Sequence, residues 1–548
     1  MRARLAVLTL LVLLLQPGGA GVAHEAEEPP VPMPGGPGHL GRLHCHDGLI
    51  QTSSLAFPCS EVDLLAWVPF SAFDTALFNF ASDIWGWTDP ETGREYAIMG
   101  LFDGAAFFDL GDPEHPVHLG TLPSAASASF WADIKVHADH AYIVKDEDGA
   151  HGIQVFDLTR LREISDPPVT FEEDFLYTGV GTVHNLVVNE ETGFLYAVGS
   201  DTCGGGPHVL DLADPAHPVF AGCFPEPGWT HDAQCIVYRG PDADYQGREI
   251  CFTAVPEGTD RFTIVDFTDK TSPFIVSELA YLDPPSLVGY AHQGWLSEDL
   301  HYFLMGDERD ERARGHGTRT YVFDVSDLDA PFLVGFHEAA TPSTDHNLYV
   351  RDGHVYQANY SAGLRILELG DLGALELEEV GFLDTYPPSD QAGTNFGPWS
   401  VYPFFESGIV VVSDILFGLF VVQPHVLEVV PVEIGLHPTV RPRKQRGVLK
   451  VVLYGSLGFA VEHVEAGSLA LGPGRAAPML SKANDLDRDG FVDLILHFSV
   501  AGAQIGPTDP EVCLTGRTEH GPRFEGCRAF ETPPPKPPKP AKPTPGKP

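Results

Sequence analysis

Basic residues are scarce in this chain. Lys and Arg number 33 against 76 Asp and Glu, a formal net charge of −43 over 548 residues. Nucleic-acid phosphates need a basic surface, so no nucleic-acid partner is expected. Adhesion to anionic lipid is disfavoured for the same reason. Divalent cations, cationic partners and saline surroundings stay compatible with such a charge. Long apolar runs are also scarce. The one at residues 5–15 is too short to span a bilayer as a stable helix. Arg2 and Arg4 precede it and small residues follow at 20–23, so residues 1–23 read as a signal peptide cut after Ala23. No second run reaches about 18 uncharged residues, so no transmembrane segment is expected in the mature chain. Three catalytic motifs are missing as well: the Walker loop, His-Glu-x-x-His and the Gly-x-Ser-x-Gly elbow. That removes the usual sequence grounds for a P-loop, zincin or α/β-hydrolase activity.

What the chain does have is repetition. Between Ser82 and Val422 a polar start, a β-branched strand, an aromatic-rich strand and an apolar strand recur seven times. The third strand is the clearest, because it closes on an acid: Ala106-Phe107-Phe108-Asp109, Gln154-Val155-Phe156-Asp157, His208-Val209-Leu210-Asp211, Thr263-Ile264-Val265-Asp266, Tyr321-Val322-Phe323-Asp324 and Arg365-Ile366-Leu367-Glu368. Leu419-Phe420-Val421-Val422 is a degenerate seventh copy. Units of about 40–60 residues with four short strands are propeller blades. One such unit cannot bury both faces of its sheet, and a ring of neighbours can. The predicted fold is therefore all-β: a seven-bladed β-propeller over residues 61–425, followed by a small β-sandwich.

The acid-closed strand resembles the LVIVD repeat of bacterial surface proteins. The wider pattern is similar to the choice-of-anchor B family. It runs through Val62-Asp63-Leu64-Leu65, Asp83-Ile84-Trp85-Gly86, Asp133-Ile134-Lys135-Val136, His231-Asp232-Ala233-Gln234-Cys235, His292-Gln293-Gly294-Trp295 and Asp345-His346-Asn347-Leu348-Tyr349. The resemblance covers about residues 45–424. It implies an exported, surface-associated propeller and no settled biochemical activity.

Eight cysteines in an exported chain suggest disulfides. Spacing pairs Cys45 with Cys59, Cys203 with Cys223, Cys235 with Cys251 and Cys513 with Cys527. Cys235 and Cys251 fall on neighbouring antiparallel strands of one blade, side by side. Residues 24–60 read as a flexible leader, over 24–43, and a disulfide-pinned cap. Leu64-Leu65-Ala66-Trp67-Val68 looks like a fourth strand with no blade before it, and the last blade stops at Gln423-Pro424 without one. The strand is expected to close the ring. Residues 427–530 should form the sandwich. The tail 531–548 alternates Pro with Lys and should be extended and unpacked.

Two constellations carry chemistry. Asp485, Asp487, Asp489 and Asp493 stand at positions 1, 3, 5 and 9 of a loop with Gly490 at position 6. Alternate carboxylates converging over a glycine turn suit calcium. The Glu that a full EF-hand carries at position 12 is Leu496 here, so the expectation is a truncated, structural calcium loop. The second constellation is the polar start of each first strand, with the ends of the second strands beside it. It collects Asp83, Asp133, His184, His231, Asp232, His292, Asp307 and His346 around one mouth of the channel. Imidazole with carboxylate can hold a transition metal, position a sugar or acyl substrate, or simply bond the next blade. Asp307-Glu308 with Asp310-Glu311 could form an acid/base pair, but reads rather as a solvated loop, because Arg309, Arg312 and Arg314 interleave.

The expected protein is a secreted or cell-surface propeller that binds or scaffolds an extracellular protein or glycan without catalysis. The alternative is a metal-dependent extracellular hydrolase using the polar mouth.

Overall fold

A computed structural model describes residues 38–72, 80–146, 150–256, 260–281, 289–426, 429–437, 447–456, 458–506, 509–518 and 521–530. The expected signal peptide, most of the leader and the Pro/Lys-rich tail lie outside them.

The chain is all-β and carries a β-propeller. Seven antiparallel meanders follow one another, each with four strands and some with additions at the outer edge. Their first strands are Ala81–Thr88, Trp131–His137, Asn185–Asn189, Asp232–Val237, Ala291–Leu296, Asn347–Arg351 and Pro398–Tyr402. Each first strand neighbours the first strand of the next sheet, and the seventh returns to the first. Apolar residues alternate on both faces of the inner strands, so Ile98, Phe107, Ile143, Phe156, Leu195, Phe262, Val322 and Ile366 are all buried between sheets.

The ring closes through the early strand Val62–Val68, which pairs antiparallel with Gly418–Pro424. The register sets Phe420 opposite Trp67 and Leu419 opposite Val68. All seven residues of Val62–Val68 are buried. Trp67 stacks on Phe420 with ring centroids 5.9 Å apart, and its indole Nε1 donates to the carbonyl of Phe417 at 2.8 Å. Burying a side chain of this size contributes about 1.5–3 kcal/mol, so the early strand is a substantial part of the seventh sheet.

Two expectations for the N-terminal stretch are corrected. His39–Leu43, read as leader, is a strand paired with Val62–Val68. Its Arg42 side chain reaches Glu114 at 3.3 Å and Asp63 at 3.5 Å, and those contacts hold it against the propeller. The Cys45–Cys59 hairpin is no separate cap. Leu49–Gln51 pairs with Ala56–Ser60, and Ala56–Ser60 joins the outer strand Leu377–Leu383 of the sixth sheet. Both strands cover sheet edges that would otherwise be open.

All four expected disulfides form: Cys45–Cys59, Cys203–Cys223, Cys235–Cys251 and Cys513–Cys527. Cys235 and Cys251 face each other across paired strands, as do Cys513 and Cys527.

After the propeller come two further four-stranded sheets. One holds Val429–Pro431, Ala470–Leu471, Glu511–Thr518 and Gly521–Ala529, the other Ile434–His437, Val448–Leu453, Leu480–Asn484 and Asp493–Ser499. They share one apolar cluster that includes Leu449, Val451, Leu471, Phe498, Leu514 and Phe524. Arg517 to Glu378 and Arg523 to Glu368, each at 2.5 Å, tie these sheets to the sixth sheet of the propeller.

Candidate metal centre at the channel mouth

First strands that neighbour one another around a ring bring their starting residues into a row. His184, His231, His292 and His346 start four consecutive first strands, and they stand as one ladder of imidazoles. Ring centroids are 4.3 Å apart for His184 and His231, 4.0 Å for His231 and His292, and 4.3 Å for His292 and His346. His231, His292 and His346 are buried. The Nε2 atoms of His184 and His231 approach to 2.8 Å.

The ends of the ladder are fixed from outside. His184 Nδ1 bonds Asp146 Oδ2 at 2.8 Å. His346 Nδ1 donates to the carbonyl of Trp399 at 2.5 Å. Both bonds commit Nδ1 and leave Nε2 to act as acceptor or ligand, the arrangement that orients ligating histidines in metal sites. Trp229, Tyr290, Tyr360 and Trp399 pack around the row.

Glu308, just past the end of the second strand Tyr302–Asp307, completes the group. Its carboxylate offers an oxygen within 4.8 Å of ligand nitrogens of His292 and His346, which lie within 4.8 Å of each other. Tyr360 donates its hydroxyl to Glu308 Oε1 at 2.7 Å. Tyr360 is held at φ 36°, a backbone region that bulky residues rarely adopt. Gly397 lets it sit there: a Cβ at that position would lie 2.1 Å from the Tyr360 carbonyl oxygen. Two imidazole nitrogens and a carboxylate oxygen, buried, with His346 oriented by Trp399 and Glu308 by Tyr360, fit a first-row transition ion. His184 and His231 extend the donor set.

The aspartates expected at the same mouth divide into other roles. Asp83 Oδ2 accepts the amide of Ile134 at 3.2 Å, and Asp133 Oδ2 accepts that of Leu186 at 2.7 Å. Each therefore bonds the first strand of the following sheet. Gln234 and Gln293 do the same for Leu296 and Leu348, both at 2.8 Å. Lys135 lies 2.7 Å from Asp133 and 3.3 Å from Asp83. Burial disfavours its charge, but the two carboxylates outweigh that and raise its pKa, so it stays protonated. Asp232 bonds the amide of Ala233 at 2.7 Å, and burial pushes its pKa up to about 7.

The stretch around Asp307 is not a solvated loop. Asp307, Glu308, Asp310 and Glu311 are 0%, 4%, 0% and 1% exposed. A short helix, Asp310–Arg314, turns its acids inward and leaves Arg312 exposed, while Arg314 folds back onto Asp310 at 3.6 Å. Asp307 accepts from the Tyr281 hydroxyl at 2.6 Å and the Tyr290 amide at 2.7 Å. Asp345 Oδ2 accepts the amide of Asp307 at 2.7 Å. Asp310 accepts from Tyr321 at 2.6 Å. Burial, with Asp310 beside it, raises Asp307 to about 7 and Glu311 to about 10. Burial also holds Asp345 well above the usual carboxylate range. Asp307, Glu311 and Asp345 are thus buried carboxyls with raised pKa values beside the histidine row.

In the C-terminal sheets, Asp485, Asp487 and Asp493 each place a carboxylate oxygen within 4.8 Å of the others. Asp489 is not within that distance of all three, but it bonds Asp487 and accepts the amide of Phe491 at 2.9 Å. Asp493 is buried and accepts the amides of Gly455 at 3.1 Å and Leu486 at 2.7 Å.

No family model matches the chain, and no curated protein matches it. Solved structures do. A protein from Lactobacillus plantarum is 13% identical, with a TM-score of 0.40 over 69% of this chain and 92% of that one. The β-propeller domain of Cps50 (Swd1) from Myceliophteria thermophila is 11% identical, with a TM-score of 0.38 over 60% and 93%. The periplasmic gluconolactonase PpgL of Pseudomonas aeruginosa is 12% identical, with a TM-score of 0.40 over 64% and 98%. At these values the likenesses carry no argument about activity.

Proposed function

We propose that this chain is a secreted seven-bladed propeller with a C-terminal β-sandwich, and that it works as a binding module built around a transition metal at one mouth of its channel. One observation carries the reading: four imidazoles from consecutive sheets form a continuous row with Glu308 against two of them. Ligands spread around a wide channel cannot share an ion, and these are not spread. When bound, the ion would supply a Lewis-acidic open position for a donor atom of an extracellular protein or glycan. Four disulfides suit an oxidising, extracellular location. The choice-of-anchor B resemblance suits the same setting. In the sandwich, Asp485, Asp487 and Asp493 would hold a structural calcium ion, with the second carboxylate oxygen of Asp489 able to join them.

A second reading rests on Tyr360 and Glu308. A carboxylate beside the ligand nitrogens, held by a buried phenol, is placed to move a proton to or from a substrate at the metal. That arrangement is the one a metal-dependent hydrolase would use.

The test is elemental analysis of purified mature protein. The reading expects near-stoichiometric transition metal that disappears when His231 and His292 are both replaced by Ala. Metal-free wild-type protein, with stability unchanged by the double replacement, would leave only a structural role. Turnover in an ester and glycoside screen that is lost in Glu308→Gln would decide for the hydrolase.

A further inference from the structure

The opposite ends of the same first strands surround a second cavity, of about 610 Å³. That is within the roughly 300–1,000 Å³ of small-molecule sites. Trp85, Trp295, Tyr349, Tyr402 and Phe404 form its wall. The rings touch in sequence, with Trp85–Tyr402 centroids at 5.2 Å, Trp295–Tyr349 at 5.1 Å and Tyr349–Phe404 at 5.8 Å. Gly86 admits Tyr402 to this wall, since a Cβ there would lie 2.1 Å from the ring.

The floor is polar. Gln234 and Gln293 spend their carbonyl oxygens on the backbone of the next sheet. Among the described residues their NH2 groups have no hydrogen-bond partner, although Gln293 is only 2% exposed. Asp232 adds a carboxyl, and Lys135 closes the floor with its charge committed to Asp133 and Asp83. At the rim, Arg239 and Glu191 neutralise each other at 2.5 Å.

We propose that this cavity binds the end of a neutral saccharide. An apolar ligand would cover the Gln234 and Gln293 NH2 groups without satisfying them, at about 1–3 kcal/mol each. A quaternary ammonium would suit the rings but accept nothing from the NH2 groups. An anion would meet Asp232 and Glu190. A sugar ring answers each feature: its C–H face packs on aromatic side chains, its hydroxyls accept from Gln234 and Gln293, and they donate to Asp232. The inference uses none of the histidines and stands independently of the metal reading.

The experiment takes full-length mature protein to an array of mono- to tetrasaccharides. Hits are titrated as free sugars, with choline as the cation probe. At least one neutral saccharide should bind with Kd below about 1 mM, corresponding to about 4 kcal/mol. In saturation-transfer NMR of the wild-type protein, irradiating aromatic resonances should mark the sugar ring protons. Trp295→Ala and Phe404→Ala, with melting temperatures checked, should each weaken binding at least about tenfold. His292→Ala should leave it unchanged. No saccharide bound at millimolar concentration, binding of choline alone, or affinity indifferent to both aromatic variants would each overturn the proposal.

Discussion

His184 and His231 point their Nε2 atoms at each other across 2.8 Å. With Asp146 accepting from Nδ1 of His184, a neutral His184 ring turns its lone pair toward His231. In that tautomer His231 either donates a proton into the gap or shares an ion with its neighbour. The same choice recurs where Glu308 stands within 4.8 Å of ligand nitrogens of His292 and His346. The mouth of this channel is thus a set of donors whose natural complement is a cation.

Ring closure by the early strand is open to deletion. Removing residues 61–70 takes away the partner of Gly418–Pro424 and the Trp67–Phe420 stack. The deleted protein should be exported but aggregate through the open edge, as seen by size-exclusion chromatography. A monodisperse, fully folded deletion variant would contradict the closure.

The calcium loop makes a separate expectation. Adding millimolar calcium to chelator-treated full-length protein should raise the unfolding transition of the C-terminal sheets. Asp487→Ala should remove that rise. Asp489→Ala should diminish it less, because Asp489 lies outside the trio of converging carboxylates. Identical melting in chelator and in calcium would reduce the loop to a turn.

Glu311 links stability to pH. Its folded pKa is raised from 4.5 to about 10 by burial and by Asp310. The native state keeps a proton that the unfolded chain releases above pH 4.5, so its stabilising contribution is complete below that value and is lost as pH rises towards 10. Glu311→Gln keeps the shape without the titration. It should raise the melting temperature by several degrees at pH 9 relative to wild type and have little effect at pH 4. A stability difference independent of pH would contradict the assignment.

The cross-strand disulfide Cys235–Cys251 closes a sequence separation of 16 residues. Loops of about this length are worth about 3 kcal/mol in the unfolded state. Replacing both cysteines with Ala should lower the chemical-denaturation midpoint accordingly, with little change in slope. No change in midpoint would mean that the bond does not form in solution.

The sequence carried much of this fold because the repeat is written in residues that do one job in every sheet. Acid-closed third strands and polar first-strand starts mark successive sheets, and the orphan strand at Leu64 identifies its own partner by what Gln423 lacks. The site was legible in part. The histidines could be placed at equivalent positions, but sequence does not report how tightly neighbouring first strands approach, so the continuous row was not foreseeable. Glu308 is legible as the end of a second strand, but the alternating arginines after it imitate a solvated surface and hide its burial. A five-residue helix reverses that impression by sending the acids of Asp310 and Glu311 inward. Asp83 and Asp133 were grouped with the histidines on position alone, whereas their carboxylates are committed to the next sheet's amides. Trp85 and Trp295 sit close to strand starts in sequence, yet they wall the far cavity, because a first strand is only a few residues long.

The most direct measurement is an anomalous-difference map, supported by X-ray absorption at the metal edge, from crystals of metal-loaded mature protein. The account expects one strong peak within the His184–His346 row, with imidazole nitrogens at about 2.0–2.2 Å and Glu308 in or next to the coordination sphere. A map with no peak at the row, under conditions that load transition metal elsewhere or not at all, would contradict it.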